Sequence, residues 1–358
     1  MNDHEIVGSN TSPYSRKLRA ILRYRRFPHI WRAQHPDTLS PEIASWPRLM
    51  PMFRMAGSAR FEIDTTPLAY LLEARYAEVR SIIPPTPQDG FLCHLIEDFA
   101  DEWCTKIMFY YRWANLETAR FAATWVISDL FPHLTVEERE QAERGFFDRQ
   151  RGRMTLVGCA EANGVLIEEH FLEILEITKM LAETGRYLFG TRPSLADFSL
   201  YGQLSQLVVD PWPQRLVRQH AAIVESWVGL LDDASGVDGQ WEPESDISRS
   251  SRERLLRIIG RSYLPFLLAN NKAIEAGSDT VSLTIDGAVF SQPCFKYQTK
   301  CYREILSRWN GLGDECRESL RPSLSSCGCL PYLENIHQST HDYQSDESRP
   351  VAANRMSL

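Results

Sequence analysis

The first seventy-odd residues alternate between short period-two apolar runs and helical stripes. Glu5-Ile6-Val7-Gly8 reads as a strand, Ser9-Asn10-Thr11-Ser12 as a polar turn, and Pro13 opens a basic helix with an apolar stripe that includes Leu18, Ile21 and Leu22. Pro28-His29-Ile30-Trp31-Arg32-Ala33 is a second strand candidate. A connection carrying Pro36, Pro41 and Pro47 follows. Leu49-Met50-Pro51-Met52-Phe53 reads as a short strand interrupted by proline, and Ala59-Arg60-Phe61-Glu62-Ile63 alternates as another. Asp64-Thr65-Thr66-Pro67 then supplies cap residues with a proline in the first turn of a helix whose apolar face is Leu68, Leu71 and Leu72. The order is βαβ, then ββα.

Past the proline-rich stretch 82–88 the period is helical to about residue 234. Single helices are expected over 89–114, 161–183 and 213–231. Thr135-Val136-Glu137-Glu138 and Ser194-Leu195-Ala196-Asp197 read as capping boxes. Residues 236–250 are loop-like, and Ser250-Ser251-Arg252-Glu253 is expected to start a helix that ends near Gly277. The run 281–290 alternates about Asp286-Gly287, a hairpin signal, and a helix is expected over 295–309. The polar tail is expected to be disordered. The class is therefore α+β: a unit of α/β type over 1–82, an all-α unit over 88–234, an extension of helices and a hairpin over 240–335, and a tail over 336–358.

Composition narrows the function. With 358 residues, 43% of them apolar, the chain can bury a sizeable core, and its net charge of −8 argues against a nucleic-acid partner. No apolar run approaches a membrane span and no signal-peptide core is visible, so a cytoplasmic protein with no membrane partner is expected. The eight cysteines show neither CxxC nor zinc spacing, so free thiols and no metal are expected. That includes the close pair Cys327 and Cys329. His94, Glu97, Asp98 and Asp101 read as a solvated acidic helix face, as do Glu168, Glu169 and His170. Arg23, Arg25 and Arg26 read as a solvated helix end.

The chemistry concentrates at Ser12. A hydroxyl just before a helix-opening proline sits where free N–H groups and the positive end of the helix dipole converge, a place suited to an anion such as a thiolate. Ser12-Pro13-Tyr14-Ser15-Arg16-Lys17, Met50-Pro51-Met52 and Asp64-Thr65-Thr66-Pro67-Leu68, followed by an all-α segment with Pro193-Ser194-Leu195-Ala196-Asp197-Phe198, resemble in order and spacing the glutathione S-transferase superfamily. The resemblance covers roughly 3–232. The region 240–335 is absent from the common pattern and is similar to that of a group of longer bacterial members.

The resemblance implies a thioredoxin-like first domain that takes glutathione as co-substrate. Pro51 would be cis, with the Met50 backbone pairing with the cysteinyl backbone of the tripeptide. Asp64 and Thr65 would hold its γ-glutamyl end. Ser12 would donate to the sulfur, as in serine-type members. A thiol has a pKa of about 8.5, and a hydroxyl donor at a helix start lowers it by roughly one or two units. Ser15, Asn10 and Tyr14 are substitutes for that role. Ser12 and Ser15 stand where reductase-like branches carry cysteine, so a mixed disulfide is not expected here.

The second-substrate pocket would lie between the domains, with Tyr14, Ser15, Trp103, Lys106, Tyr110, Arg112 and Trp113 as candidates, though most aromatics on that helix should be core. The expected partner is a small-molecule electrophile. The expected activity is glutathione transfer, with isomerisation or dehalogenation as variants. The alternatives are a non-catalytic glutathione-binding or protein-interaction module, and a reductase using Cys104. A homodimer is compatible with the pattern unless residues 240–335 block it.

Overall fold

In the computed structural model, which describes residues 3–35, 49–77 and 79–334, the N-terminal segment forms a four-stranded sheet with two helices. The Pro36, Pro41 and Pro47 connection and the tail over 336–358 lie outside the described residues. The elements are β1 (His4–Gly8), α1 (Pro13–Tyr24), β2 (His29–Ala33), β3 (Met52–Arg54), β4 (Phe61–Ile63) and α2 (Thr65–Arg75). The strand order is β2-β1-β3-β4, with β1 parallel to β2 and antiparallel to β3, and β3 antiparallel to β4. This is the thioredoxin-like arrangement. Both helices cover the same face, where Leu18 and Leu22 of α1 meet Leu68 and Leu72 of α2 over Ile6 and Phe53.

The helical body comprises α3 (Pro87–Glu102), α4 (Cys104–Trp113), α5 (Leu116–Leu130), α6 (Val136–Gly152), α7 (Gly164–Glu183), α8 (Leu195–Leu207), α9 (Pro211–Ala221) and α10 (Ile223–Asp232). Every residue of α8 is buried, so it is the axis of this body. Its start is fixed by the Ser194–Asp197 capping box, and the Thr135–Glu138 box starts α6 in the same way. Gly202 lets α8 approach the first turn of α1: a Cβ there would lie 2.9 Å from the Pro13 carbonyl oxygen.

Four helix expectations need correction. The stretch 89–114 is two helices, because the Lys106 N–H bonds back three residues to the Trp103 carbonyl and tightens the turn there. The stretch 213–231 is also two, broken at Ala222 where Glu225 makes the same tight bond. The helix expected from Ser250 starts earlier, at Asp246. Ser245 caps it, accepting from the Ser248 N–H, and Ser251 is buried within it. The expected 161–183 helix becomes a single 3-10 turn and then α7.

The C-terminal segment runs through α11 (Asp246–Ile258), a π-helical stretch (Ile259–Tyr263) and α12 (Leu264–Glu275) into the expected hairpin, β5 (Thr280–Ile285) and β6 (Ala288–Pro293). It closes with α13 (Lys296–Gly311), α14 (Asp314–Ser326) and α15 (Leu330–Leu333). This segment is not a loose appendage. Phe266 and Phe290 pack on Trp103, Trp309 packs on Phe91, and the apolar core runs unbroken from α3 to α14. No described helix is long and apolar enough to cross a membrane.

Candidate functional site

The sheet register brings the sequence candidates together. Val7 pairs with Met52, and Met52 with Ile63. One step further, the register sets Pro51 between Gly8 and Asp64. The Ser9–Ser12 turn, the Met50–Pro51 dipeptide and the start of α2 therefore share one end of the sheet, at the carboxyl end of β1. The Met50–Pro51 peptide is cis.

Ser12 caps α1, with φ −99° and ψ 120°, and its Oγ accepts from the Ser15 N–H at 3.3 Å. Among the described residues no acceptor takes the Ser12 hydroxyl proton. The turn before it is held rigidly. Asp129, at the end of α5, accepts from Ser9 Oγ (2.5 Å), from the Asn10 N–H (2.7 Å) and from Asn10 Nδ2 (2.7 Å). Arg112 donates to the Thr11 carbonyl at 2.9 Å while its other nitrogens engage Asp210 and Gln206. Ser12 itself is only 3% exposed.

Asp64 has φ +75° and ψ 108°, a conformation that costs a non-glycine residue of order 1–3 kcal/mol. It stands at the N-cap position of α2 but makes no side-chain cap bond. Its Oδ2 instead accepts from the Tyr297 hydroxyl, on α13, at 3.1 Å. Thr65 is fully buried, and its Oγ1 has no hydrogen-bond partner among the described residues.

Behind these residues lies a buried ionic junction. Lys17 Nζ donates to Glu97 Oε1 and Asp101 Oδ2, each at 2.7 Å, and the Thr66 hydroxyl donates to the same Glu97 Oε1 at 2.6 Å. One carboxylate of α3 thereby ties α1, which carries Ser12 at its start, to α2, which follows Asp64. Burial pulls the Lys17 pKa down, but the two carboxylates outweigh it and the net shift is up. Burial likewise pushes Glu97 up, and Lys17 brings it net below its ordinary value. His94, beside Glu97, is pushed down to about 4 by burial and is neutral near pH 7.

This overturns the reading of His94, Glu97, Asp98 and Asp101 as a solvated face. All four are buried, because α3 is covered on one side by α1 and α2 and on another by the C-terminal segment, where Tyr263 donates to Asp98 at 2.5 Å. His170 is also buried, accepting from the Trp103 indole, whereas Glu169 is exposed. Arg25 is buried too, bonded to the Tyr76 and Val79 carbonyls, and Arg23 pairs with Asp232; Arg26 is exposed, as expected, though paired with Asp238.

Several expected second-substrate residues are structural instead. The Tyr14 hydroxyl donates to the Asp101 carbonyl at 2.8 Å, inside the α1–α3 contact. Ser15 is fully buried and its Oγ receives the Ser9 N–H. Trp103 is 2% exposed, donates to His170 Nδ1 at 3.0 Å and packs under the hairpin. Lys106 bonds Gln292 of β6 and the Val157 carbonyl, and burial pulls it down to about 8. The Tyr110 hydroxyl donates to Glu168, and burial with that bond pushes it up to about 12. Trp113 is core.

An apolar cavity of about 260 Å³ lies between α5 and α6, lined by His35, Ile127, Leu130, Phe131, Phe146 and Arg149 among others. Leu130 follows the turn-binding Asp129, and its carbonyl accepts from the His35 N–H at 3.1 Å. Sequence reasoning missed this wall because nothing local marks α5 and α6 as neighbours of the segment that follows β2. It missed Tyr297 for the same reason, whereas the four-residue spacing of Glu97 and Asp101 did place them on one face. All eight cysteines are free thiols, and Cys104 is buried with its pKa pushed well up, which makes it a poor nucleophile. Among the described residues no group of three or more His, Cys, Asp or Glu is placed to hold a metal.

No protein-family model matches the chain, and no curated protein matches it in sequence. Among solved structures it is similar to a glutathione S-transferase from Methylobacterium radiotolerans in complex with glutathione sulfonate, at 18% identity over 66% of this chain and 94% of that one, with a TM-score of 0.41. It is also similar to a GST-like protein from Pseudomonas syringae, at 17% identity over 64% of this chain and 67% of that one, with a TM-score of 0.38.

Proposed function

We propose that the protein binds glutathione at the carboxyl end of β1 and activates its thiolate for attack on a small apolar electrophile. The observation that carries this reading is the convergence, at one end of the sheet, of a hydroxyl at a helix start (Ser12), a strand-edge backbone (Met50) and a second helix start bearing a carboxylate and a hydroxyl (Asp64 and Thr65). Each matches one chemical part of the tripeptide. Ser12 donates to the sulfur, the Met50 backbone pairs with the cysteinyl amide, Asp64 takes the γ-glutamyl ammonium, and Thr65 with the first N–H groups of α2 takes its carboxylate.

The electrophile occupies the cavity between α5 and α6, whose aromatic wall suits an apolar ring. The thiol proton leaves to solvent, the sulfur lone pair forms the C–S bond, and the leaving group departs with its bonding pair. Isomerisation and dehalogenation share the first attack and differ afterwards.

Ser12→Ala is the test. Turnover falls roughly 10- to 100-fold, the thiolate fraction that one or two pKa units represent, while the glutathione dissociation constant is largely kept. Unchanged turnover removes Ser12 from the mechanism. The burial of Ser12 favours a second reading, a glutathione-binding module without catalysis. Under that reading glutathione binds but no electrophile is turned over by the wild type.

A further inference from the structure

We infer that the cavity between α5 and α6 takes an aromatic carboxylate, with the ring against the apolar wall and the carboxylate on the Arg149 guanidinium at the mouth. That this ligand is the electrophile rests on the glutathione reading above; the preference for an anion does not. The two helices meet along stripes spaced three and four residues apart. Ile127, Leu130 and Phe131 come from α5 and the residue just past it, and Ala142, Gly145, Phe146 and Arg149 come from α6. Ile127, Leu130 and Phe146 are buried, whereas Gly145 and Arg149 are exposed, so an apolar floor lies under a charged mouth. The volume of about 260 Å³ is at the lower edge for a ligand pocket and suits a single substituted ring.

Gly145 stands inside α6, where glycine weakens a helix. A Cβ there would meet nothing within 4 Å, so no neighbour requires its absence, and the glycine leaves the wall open. Arg149 lies over the Phe146 ring at 5.0 Å, and among the described residues no carboxylate pairs with it, whereas Arg144 of the same helix pairs with Glu140. The like charge of Arg153, one turn on, adds to the positive potential at that end. A guanidinium offers a carboxylate two parallel N–H donors, and an apolar wall beside the pair strengthens it relative to open water. Two lining residues also tie the cavity to the turn that leads into Ser12. Leu130 follows Asp129, which holds Ser9 and Asn10, and His35 follows Gln34, whose N–H donates to the Gly8 carbonyl at 3.1 Å.

The test is calorimetric titration of the full chain, without glutathione, with 4-chloro-3-nitrobenzoate and with the neutral 4-chloro-3-nitrobenzamide. Wild type binds the carboxylate about tenfold more tightly than the amide, the scale of one charge-assisted pair. Arg149→Gln weakens the carboxylate about tenfold and leaves the amide within about twofold. Gly145→Leu, a better helix former that fills the wall, abolishes binding of both. No binding by the wild type, equal affinity for the two ligands, equal loss of both in Arg149→Gln, or unchanged binding in Gly145→Leu overturns the inference. Turnover with glutathione then separates this inference from the reading it deepens. The sulfur forms its bond to the ring carbon that bears chlorine, chloride leaves with the bonding pair, and the thiol proton goes to solvent. Chloride release with a lower KM for the carboxylate, raised in Arg149→Gln, supports both. The expected binding pattern with no chloride released overturns the glutathione reading and leaves the anion site standing.

Discussion

Lys17→Met is the sharpest probe of how the site is held together. Lys17 is 1% exposed in its side chain, Glu97 0% and Asp101 2%, with both N–O distances at 2.7 Å. Methionine fills nearly the same volume, so the loss is electrostatic. It leaves two buried carboxylates with no cation between them. Removing one partner of a buried pair costs about 3–5 kcal/mol, mostly the penalty of the stranded charge, and we expect about 4 kcal/mol here.

The deficit has a defined pH dependence. In the wild type Glu97 lies below its ordinary value of 4.5, so its contribution is present above that value and lost as pH falls through the folded pKa. Without Lys17, burial, the largest influence on Glu97, is opposed only by the Thr66 hydrogen bond and the neighbouring His94, and we expect the folded pKa to rise above the unfolded one. The variant then gains stability as pH falls through that raised value. The gap between the two proteins is therefore widest at about pH 7.5 and narrows toward about pH 5. Urea denaturation followed by circular dichroism at both pH values reads it, with equal m-values as the check that the comparison is sound. Removing the stranded charges as well, in Lys17→Met/Glu97→Gln/Asp101→Asn, recovers most of the loss. A deficit below about 1 kcal/mol, or one that widens on acidification, refutes the buried-junction reasoning.

Two further expectations follow from the same core. His94 is pushed down to about 4 by burial, whereas in the unfolded chain it titrates near 6.5. The unfolded state then holds more protons between those values, so the His94 contribution is complete above 6.5 and lost as pH falls toward 4. His94→Gln flattens the stability–pH curve there by on the order of 2–3 kcal/mol, and parallel curves would sink the assignment. Trp103→Phe removes the donor to His170 and lowers stability by about 1–3 kcal/mol, read by the urea midpoint, with glutathione affinity unchanged. A changed affinity would restore Trp103 to the ligand site.

What the sequence made legible was local. Strand–turn–helix order, both capping boxes and the Asp-Gly hairpin each depend on signals within a few positions, and the structure carries them as expected. What it hid was long-range. The charges of α3 looked solvated because their cation lies 80 residues upstream on another element. Trp103 was assigned to a pocket because the Phe290 ring that covers it comes from the distant hairpin. The helix breaks at Trp103 and Ala222 carry no proline or glycine, only one tightened turn each. The start of α11 was missed because two serine-led caps lie five residues apart and only packing chooses between them.

The central claim is that this end of the sheet binds glutathione as a thiolate. Calorimetric titration with glutathione near neutral pH, in two buffers of different ionisation enthalpy, tests it most directly. The account predicts binding whose heat differs between the buffers, with net proton release. Binding without proton release would contradict thiolate formation at Ser12, and no binding would contradict the site itself.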